Sequence, residues 1–88
     1  MAYKVIVHEE AKKELQRLAP EIARRIIKKI KGHLIKAPAD LGVPLRGEFA
    51  GLYRYRVGDW RVIYSIAFAR ETVIILRVEH RRTVYKTK

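Results

Sequence analysis

Leu52–Tyr64, LYRYRVGDWRVIY, is the stretch whose reading decides the fold. Two alternating runs flank Gly58-Asp59, and a glycine at the first of two turn positions suits a type II′ hairpin. That turn fixes the register. Val57 faces Trp60, Arg56 faces Arg61, Tyr55 faces Val62, Arg54 faces Ile63 and Tyr53 faces Tyr64. Side chains alternate between faces with a period of two. Tyr53, Tyr55, Val62 and Tyr64 therefore share one face, and Arg54, Arg56, Arg61 and Ile63 share the other. Opposed arginines repel, and like-charged cross-strand pairs are destabilising by roughly 0.2–1 kcal/mol. A chain selected only to fold would place a Glu or Thr there. The arginines point to a polyanionic ligand on that face.

Downstream, Trp60–Phe68 continues the second hairpin strand, Ala69-Arg70-Glu71 reads as a turn, and Thr72–Glu79 reads as a last strand. A three-residue loop puts Ile74, Leu76 and Val78 on the tyrosine face and Arg77 and Glu79 on the arginine face; a two-residue loop would reverse this. Glu79 then lies beside Arg61, and the tail His80–Lys88 brings His80 and Arg81 to the sheet edge that carries Arg56 and Arg61. Tyr85 follows four residues on.

Upstream, Ala2–Val7 is rich in β-formers and predicts a first strand. His8–Leu18 turns helical, with Ala11, Leu15 and Leu18 at helical spacing and Glu9 and Glu10 in the first turn, where negative charge suits the dipole. Pro20 ends that helix and can open the next. Glu21–Ala37 carries the strongest helical signal: Ile22, Ile26, Ile30 and Leu34 form one row, with Ala23 and Ile27 beside it. Gly32 weakens the last turn. Ala37–Pro44 is a loop punctuated by prolines and a glycine. The order β-α-α-β-β-β predicts an α+β fold, with two N-terminal helices on the tyrosine face of a small antiparallel sheet and the arginine face left accessible.

The 88 residues form one domain, 1–88, with no internal repeat. Nearly half are apolar, which argues against disorder. There is no cysteine, which excludes disulfides and thiolate metal sites, and the three scattered histidines do not suggest zinc. No nucleotide loop or catalytic triad is present. The opening residues have too short an apolar run for a signal peptide and no stretch could span a membrane, so a cytoplasmic location is expected. The formal net charge of +11 is spread over both halves of the chain and favours nucleic acid or another acidic surface as partner.

Arginine clusters bind phosphate through charge-assisted, often bidentate hydrogen bonds, and a tyrosine nearby can stack on a base. Arg54, Arg56, Arg61, Arg81 and Tyr85 are thus the candidate polyanion site. Arg24, Arg25, Lys28, Lys29 and Lys31 lie on one side of the second helix. They suit a solvated outer face, and the same arrangement lets Lys28 and Lys29 track an RNA backbone. His8 and His33 read as structural, Trp60 and Phe49 as core or rim packing. His80 borders the site and is a possible general acid or base.

These residues carry a resemblance that runs almost end to end. The chain resembles the RelE family of toxins, the RNase half of type II toxin–antitoxin pairs. The likeness lies in Ala11-Lys-Lys-Glu-Leu15, Leu45-Arg46-Gly47, Tyr53-Arg-Tyr-Arg56, Gly58-Asp-Trp-Arg-Val-Ile-Tyr64, and His80-Arg81 followed by Val84-Tyr85. The combination is specific where each motif alone is weak. The resemblance implies ribosome-dependent cleavage of mRNA in the decoding site, with no metal and no small-molecule cofactor. The 2′-hydroxyl attacks the adjacent phosphorus to leave a 2′,3′-cyclic phosphate. It further implies that Arg61 and Arg81 stabilise the developing charge, that Arg46 contacts the RNA backbone and that Tyr85 orients the attacked nucleotide. The implied partners are the ribosome, mRNA and a cognate antitoxin, acidic where it covers the arginine face.

One departure stands out. The best-known member has lysines at the positions matching Arg54 and Arg56, one of them proposed as general base. An arginine stays protonated and makes a poor base. Only phosphate binding is carried over to these two, which leaves Glu79, His80 and Glu48 as possible bases. A C-terminal helix found in some relatives is expected to be absent. Two other readings remain at this point: ParE-like toxins share the fold and inhibit DNA gyrase without nuclease chemistry, and a catalytically silent module would bind RNA or antitoxin only.

Overall fold

The computed structural model describes residues 2–80. Strand β1 (Lys4–Val7) leads into helix α1 (Glu9–Gln16) and helix α2 (Pro20–Gly32). A 3-10 turn at Leu34–Lys36 and the short helix α3 (Pro38–Leu41) follow, then β2 (Val43–Pro44), β3 (Tyr53–Val57), β4 (Trp60–Ala67) and β5 (Thr72–His80). The sheet order is β1-β5-β4-β3-β2. This is the expected α+β plan, with two additions: β2 extends the sheet beside β3, and β1 joins it parallel to β5.

The helices start and stop for local reasons. His8 caps α1, its Nδ1 accepting from the Glu10 N–H at 3.3 Å, and Glu9 and Glu10 occupy the first turn. Pro20 opens α2, as its missing N–H allows. That helix ends at Gly32 rather than running to Ala37. The apolar row survives the break: Ile26, Ile30 and Leu34 are buried, whereas Ile27 is exposed. The segment expected as a loop from Ala37 to Pro44 is instead ordered as α3 and β2.

The hairpin pairs as its turn requires, with Tyr53 opposite Tyr64, Tyr55 opposite Val62 and Arg56 opposite Arg61. Gly58 has φ +60°, and Asp59 has no positive φ, the combination a type II′ turn needs. The tyrosine face is the core. Tyr55, Val57, Val62 and Tyr64 pack with Ala11, Ile26, Ile30 and Leu34.

The expected phase of β5 holds for only half its length. Arg61 pairs with Glu79, Val62 with Val78 and Ile63 with Arg77, but Tyr64 pairs with Ile75. Leu76 is the extra residue of a β-bulge. Val73 and Ile75 are therefore buried on the tyrosine face with Val78, in place of Ile74 and Leu76. The cause lies in the loop. It spans Phe68–Glu71, with Glu71 left-handed at φ +48°, and so pairs Ala67 with Thr72. That register is one residue out of step with Arg61 opposite Glu79, and the bulge absorbs the difference.

Tyr64 ties the layers together. Its ring stacks on Tyr53 with centroids 5.3 Å apart, and its hydroxyl donates to the Pro38 carbonyl at 2.6 Å. A Cβ on Gly42 would overlap the Tyr64 phenol. Burial, and then the neighbouring Tyr53 and Tyr55, raise the Tyr64 pKa above its ordinary value of 10.0; burial also raises that of Tyr55. The folded chain thus favours both protonated phenols. Their contribution to stability is full below pH 10.0 and is lost as pH rises through the folded values. Urea unfolding across this alkaline range is expected to show falling midpoints, with a shallower fall in Tyr64→Phe. At neutral pH, Tyr64→Phe leaves a buried carbonyl unpaired and Gly42→Ala overpacks the ring, so each is expected to cost about 1–3 kcal/mol.

Candidate functional site

The face opposite the helices is divided in two. Around the hairpin turn, Arg54, Arg56, Gly58, Asp59, Trp60 and Arg61 line a cavity of about 220 Å³. Strand alternation sends the three arginines there, and the Gly58 turn closes its end. Arg56 is exposed and its Nε donates to the Gly58 carbonyl at 3.4 Å; Arg54 and Arg61 are half-buried. Arg61 is flanked by Arg56 across β3 and by Glu79 across β5. The Glu79 carboxylate thus offsets part of the repulsion between the opposed guanidinium groups. Three cations against one lining carboxylate, Asp59, make this cavity electropositive. An arrangement of that kind binds phosphate and stabilises negative charge that develops on it.

The second half of the face is not the open surface expected from the sequence. The segment after β2 folds back over it. Gly47–Phe49 forms a 3-10 turn, and the Leu45 N–H donates to the Leu52 carbonyl at 2.9 Å. Leu45, Phe49 and Leu52 line a groove of about 460 Å³ with Ile63, Leu76, Arg46, Arg77 and Glu79. Ile63, on the arginine face, is 6% exposed. The sequence signal for this cover was the helical i, i+4, i+7 spacing of Leu45, Phe49 and Leu52, but Gly47 and Gly51 take left-handed backbone at φ +66° and +98°, so the segment makes a 3-10 turn and not a helix. Phe49 is a rim residue, 45% exposed.

The remaining candidates fall in different places. Arg46 lines the groove and not the arginine cavity. Glu79 lies on the arginine face opposite Arg61, with its side chain 10% exposed, and its Oε2 is 3.5 Å from Arg77 Nη2. His80 alternates to the other side of the sheet. It pairs with Trp60, its ring meets the indole edge-on at 4.9 Å, and it lines a cleft with Glu14, Arg17 and Leu18. Glu48 is exposed in the 3-10 turn. Lys28 and Lys29 are exposed on α2. His33 is structural: its Nδ1 is 2.6 Å from the Tyr55 hydroxyl and joins the end of α2 to β3. Arg81, Tyr85 and the tail beyond His80 lie outside the described residues.

One contributor was not singled out from the sequence. Arg77 is held by Glu14 of α1, with Nε and Nη2 at 2.9 and 2.8 Å from the Glu14 carboxylate. This hydrogen bond raises the Arg77 pKa above its ordinary value. Glu14 belongs to the Ala11–Leu15 motif, so the motif was visible and its target was not. Among the described residues no cluster of His, Cys, Asp and Glu could hold a metal ion, and no helix is long and apolar enough to cross a membrane.

Similarities to known proteins agree with this geometry. The family described as "ParE toxin of type II toxin-antitoxin system, parDE" matches residues 5–85. Toxin RelG of Mycobacterium tuberculosis (strain ATCC 25618 / H37Rv) is 37% identical over 98% of this chain and 99% of its own length. A solved toxin–antitoxin complex, RelBE2 from Mycobacterium tuberculosis, contains a chain that superposes with a TM-score of 0.88 at 37% identity, covering 92% of this chain and all 100% of that one. A chain of the archaeal RelE–RelB complex from Pyrococcus horikoshii OT3 gives a TM-score of 0.72 at 30% identity, over 96% of this chain and 100% of its own.

If the arginine cavity binds phosphates, replacing Arg54, Arg56 or Arg61 by Ala should weaken binding to single-stranded RNA regardless of sequence. The slope of log K against log salt should flatten by about 0.7 for each lost phosphate contact. Fluorescence anisotropy across a salt series measures both.

Proposed function

The chain belongs to the RelE/ParE superfamily of type II toxins, and from that premise we propose that it is an mRNA endoribonuclease that halts translation and is neutralised by a cognate antitoxin. The observation that carries this reading is the electropositive cavity holding Arg54, Arg56 and Arg61 on one uncovered half of the sheet. The substrate is mRNA in the ribosomal decoding site. Lys28 and Lys29 add a phosphate-tracking surface on α2, and Arg46 holds the RNA backbone at the groove.

In the cleavage step the 2′-oxygen forms a bond to phosphorus, the bond to the 5′-oxygen breaks, and a 2′,3′-cyclic phosphate results. Arg61 and Arg81 bear on the charge that accumulates on the phosphoryl oxygens, Arg54 and Arg56 bind the flanking phosphate, and Tyr85 stacks on the attacked nucleotide. The proton of the 2′-hydroxyl goes to the Glu79 carboxylate, and the 5′-oxygen leaves as a hydroxyl by taking a proton from solvent water. Of the three possible bases only Glu79 is paired directly opposite Arg61. His80 is turned toward Trp60, and Glu48 is exposed in its own turn. The antitoxin supplies acidic side chains to the arginine cavity, as charge complementarity requires. The toxin–antitoxin complexes named among the structural relatives support such a partner.

Primer extension on a translated message tests this directly. Wild type should cut only in the presence of ribosomes, and the 3′ ends should carry a cyclic phosphate. Arg81→Ala should abolish the cut, and Glu79→Gln should slow it by about 10²–10⁴-fold, the usual contribution of a general base. A second reading follows from the family description, which names ParE toxins. Inhibition of gyrase supercoiling with no RNA cleavage would establish that reading in place of the first.

A further inference from the structure

Strand β5 is supported unevenly along its outer edge. β1 pairs with it from Thr72 to Ile75, where Val7 is the last partner. The His8 N–H then donates to the Ile75 carbonyl at 2.8 Å, and the chain turns into α1. From Leu76 onward no β1 residue pairs with β5. Glu14 takes over there. Its Oε1 accepts from the Val78 N–H at 2.6 Å, and its Oε2 accepts from Arg77 Nε at 2.9 Å and lies 2.8 Å from Nη2. One carboxylate, 18% exposed, thus stands in for a neighbouring strand. Charge-assisted bonds of this length are among the stronger ones available.

Their position matters more than their number. The bulge residue Leu76 immediately precedes Arg77, and β5 uses one register before it and another after it. If Arg77–His80 kept the phase set by the Phe68–Glu71 loop, every side chain beyond the bulge would change faces. Glu79 would then leave Arg61 for the helix side, and Val78 would leave the core. Glu14 bonds to the two residues that follow the bulge and so favours the register seen here. Arg77 also reaches Glu79 at 3.5 Å, which links Glu14 to Glu79 through a single guanidinium.

We propose that Glu14 is a positioning residue for RNA cleavage: it locks the end of β5 in the register that sets Glu79 across from Arg61. The inference rests on the endoribonuclease reading above. The test compares wild type with Glu14→Ala, Glu14→Gln and Leu15→Ala. Leu15 packs against the same core one residue away, and its truncation controls for lost stability. Glu14→Ala should lower kcat by about a hundredfold at unchanged KM, the scale expected of a small misplacement at a reacting centre. Glu14→Gln retains an acceptor for Val78 N–H and should recover part of that loss. Leu15→Ala should keep the wild-type kcat per folded molecule. Amide hydrogen exchange should accelerate at Arg77–His80 in Glu14→Ala and not selectively there in Leu15→Ala. Equal kcat losses in Glu14→Ala and Leu15→Ala, or unchanged exchange at Arg77–His80 in Glu14→Ala, would overturn the proposal. An inactive wild type counts against the endoribonuclease reading alone, because the exchange data still decide whether Glu14 holds the strand.

Discussion

β4 is hydrogen-bonded on both sides, to β3 and to β5, and one of its faces is packed against the helices. Those two facts constrain everything else. A strand paired along both edges cannot rotate, and a side-chain period of two leaves no choice about what lies opposite the core. With Val62 and Tyr64 fully buried, Arg61 and Ile63 must point the other way. The neighbours follow: Arg54 and Arg56 by the hairpin register, Arg77 and Glu79 by the pairing of β5. The hydrophobic core therefore fixes the strand positions from which the arginines project. Hydrophobic burial on one side of the sheet is what holds like charges together on the other.

The hairpin was legible because its instructions are local. Gly58 and Asp59 specify the turn, the turn specifies the register, and the register assigns every face from Tyr53 to Tyr64. The helices were legible for the same reason, since Pro20 marks the start of α2 within a clear apolar row, although that row also suggested a run to Ala37 that stops at Gly32. What was not legible depended on distant partners. No residue in Lys4–Val7 announces a parallel pairing with Thr72–Ile75. The bulge at Leu76 arises from two registers set in separate places, one by the loop and one beside the hairpin turn, and neither place contains the information alone. The cover formed by Leu45, Phe49 and Leu52 carries a helical spacing, but the left-handed Gly47 and Gly51 break the helix that spacing suggests. The expectation of an open arginine face failed there, while the resemblance to toxins in motif after motif agreed with the relatives found.

The electrostatics of the site follow an alternating plan. Reading across the sheet from β3 to β5, the cross-strand row is Arg56, Arg61, Glu79. Along β5, Arg77 stands between Glu79 and Glu14. Each carboxylate is thus shared or flanked by cations, and the positive excess concentrates toward the turn, where Arg54 and Arg56 have no such carboxylate across the strand. The protein accommodates repulsion where a ligand phosphate can relieve it and neutralises charge where the fold needs order. His80, two residues after Val78 on the same face of β5, is spent on packing with Trp60.

The pairing of β1 with β5 has a consequence for how such a protein is made. The second strand of the sheet in space, β5, is the last in sequence among the described residues: Lys4–Val7 waits for Thr72–Ile75. β4 likewise lacks its second neighbour until the same segment exists. A translating ribosome must therefore produce almost the whole described chain before the sheet can close. Contacts of such long sequence separation also form slowly. The arginine cavity and Glu79 are brought together at the end of that process, so a half-made chain carries the basic residues without the geometry that gives them a target.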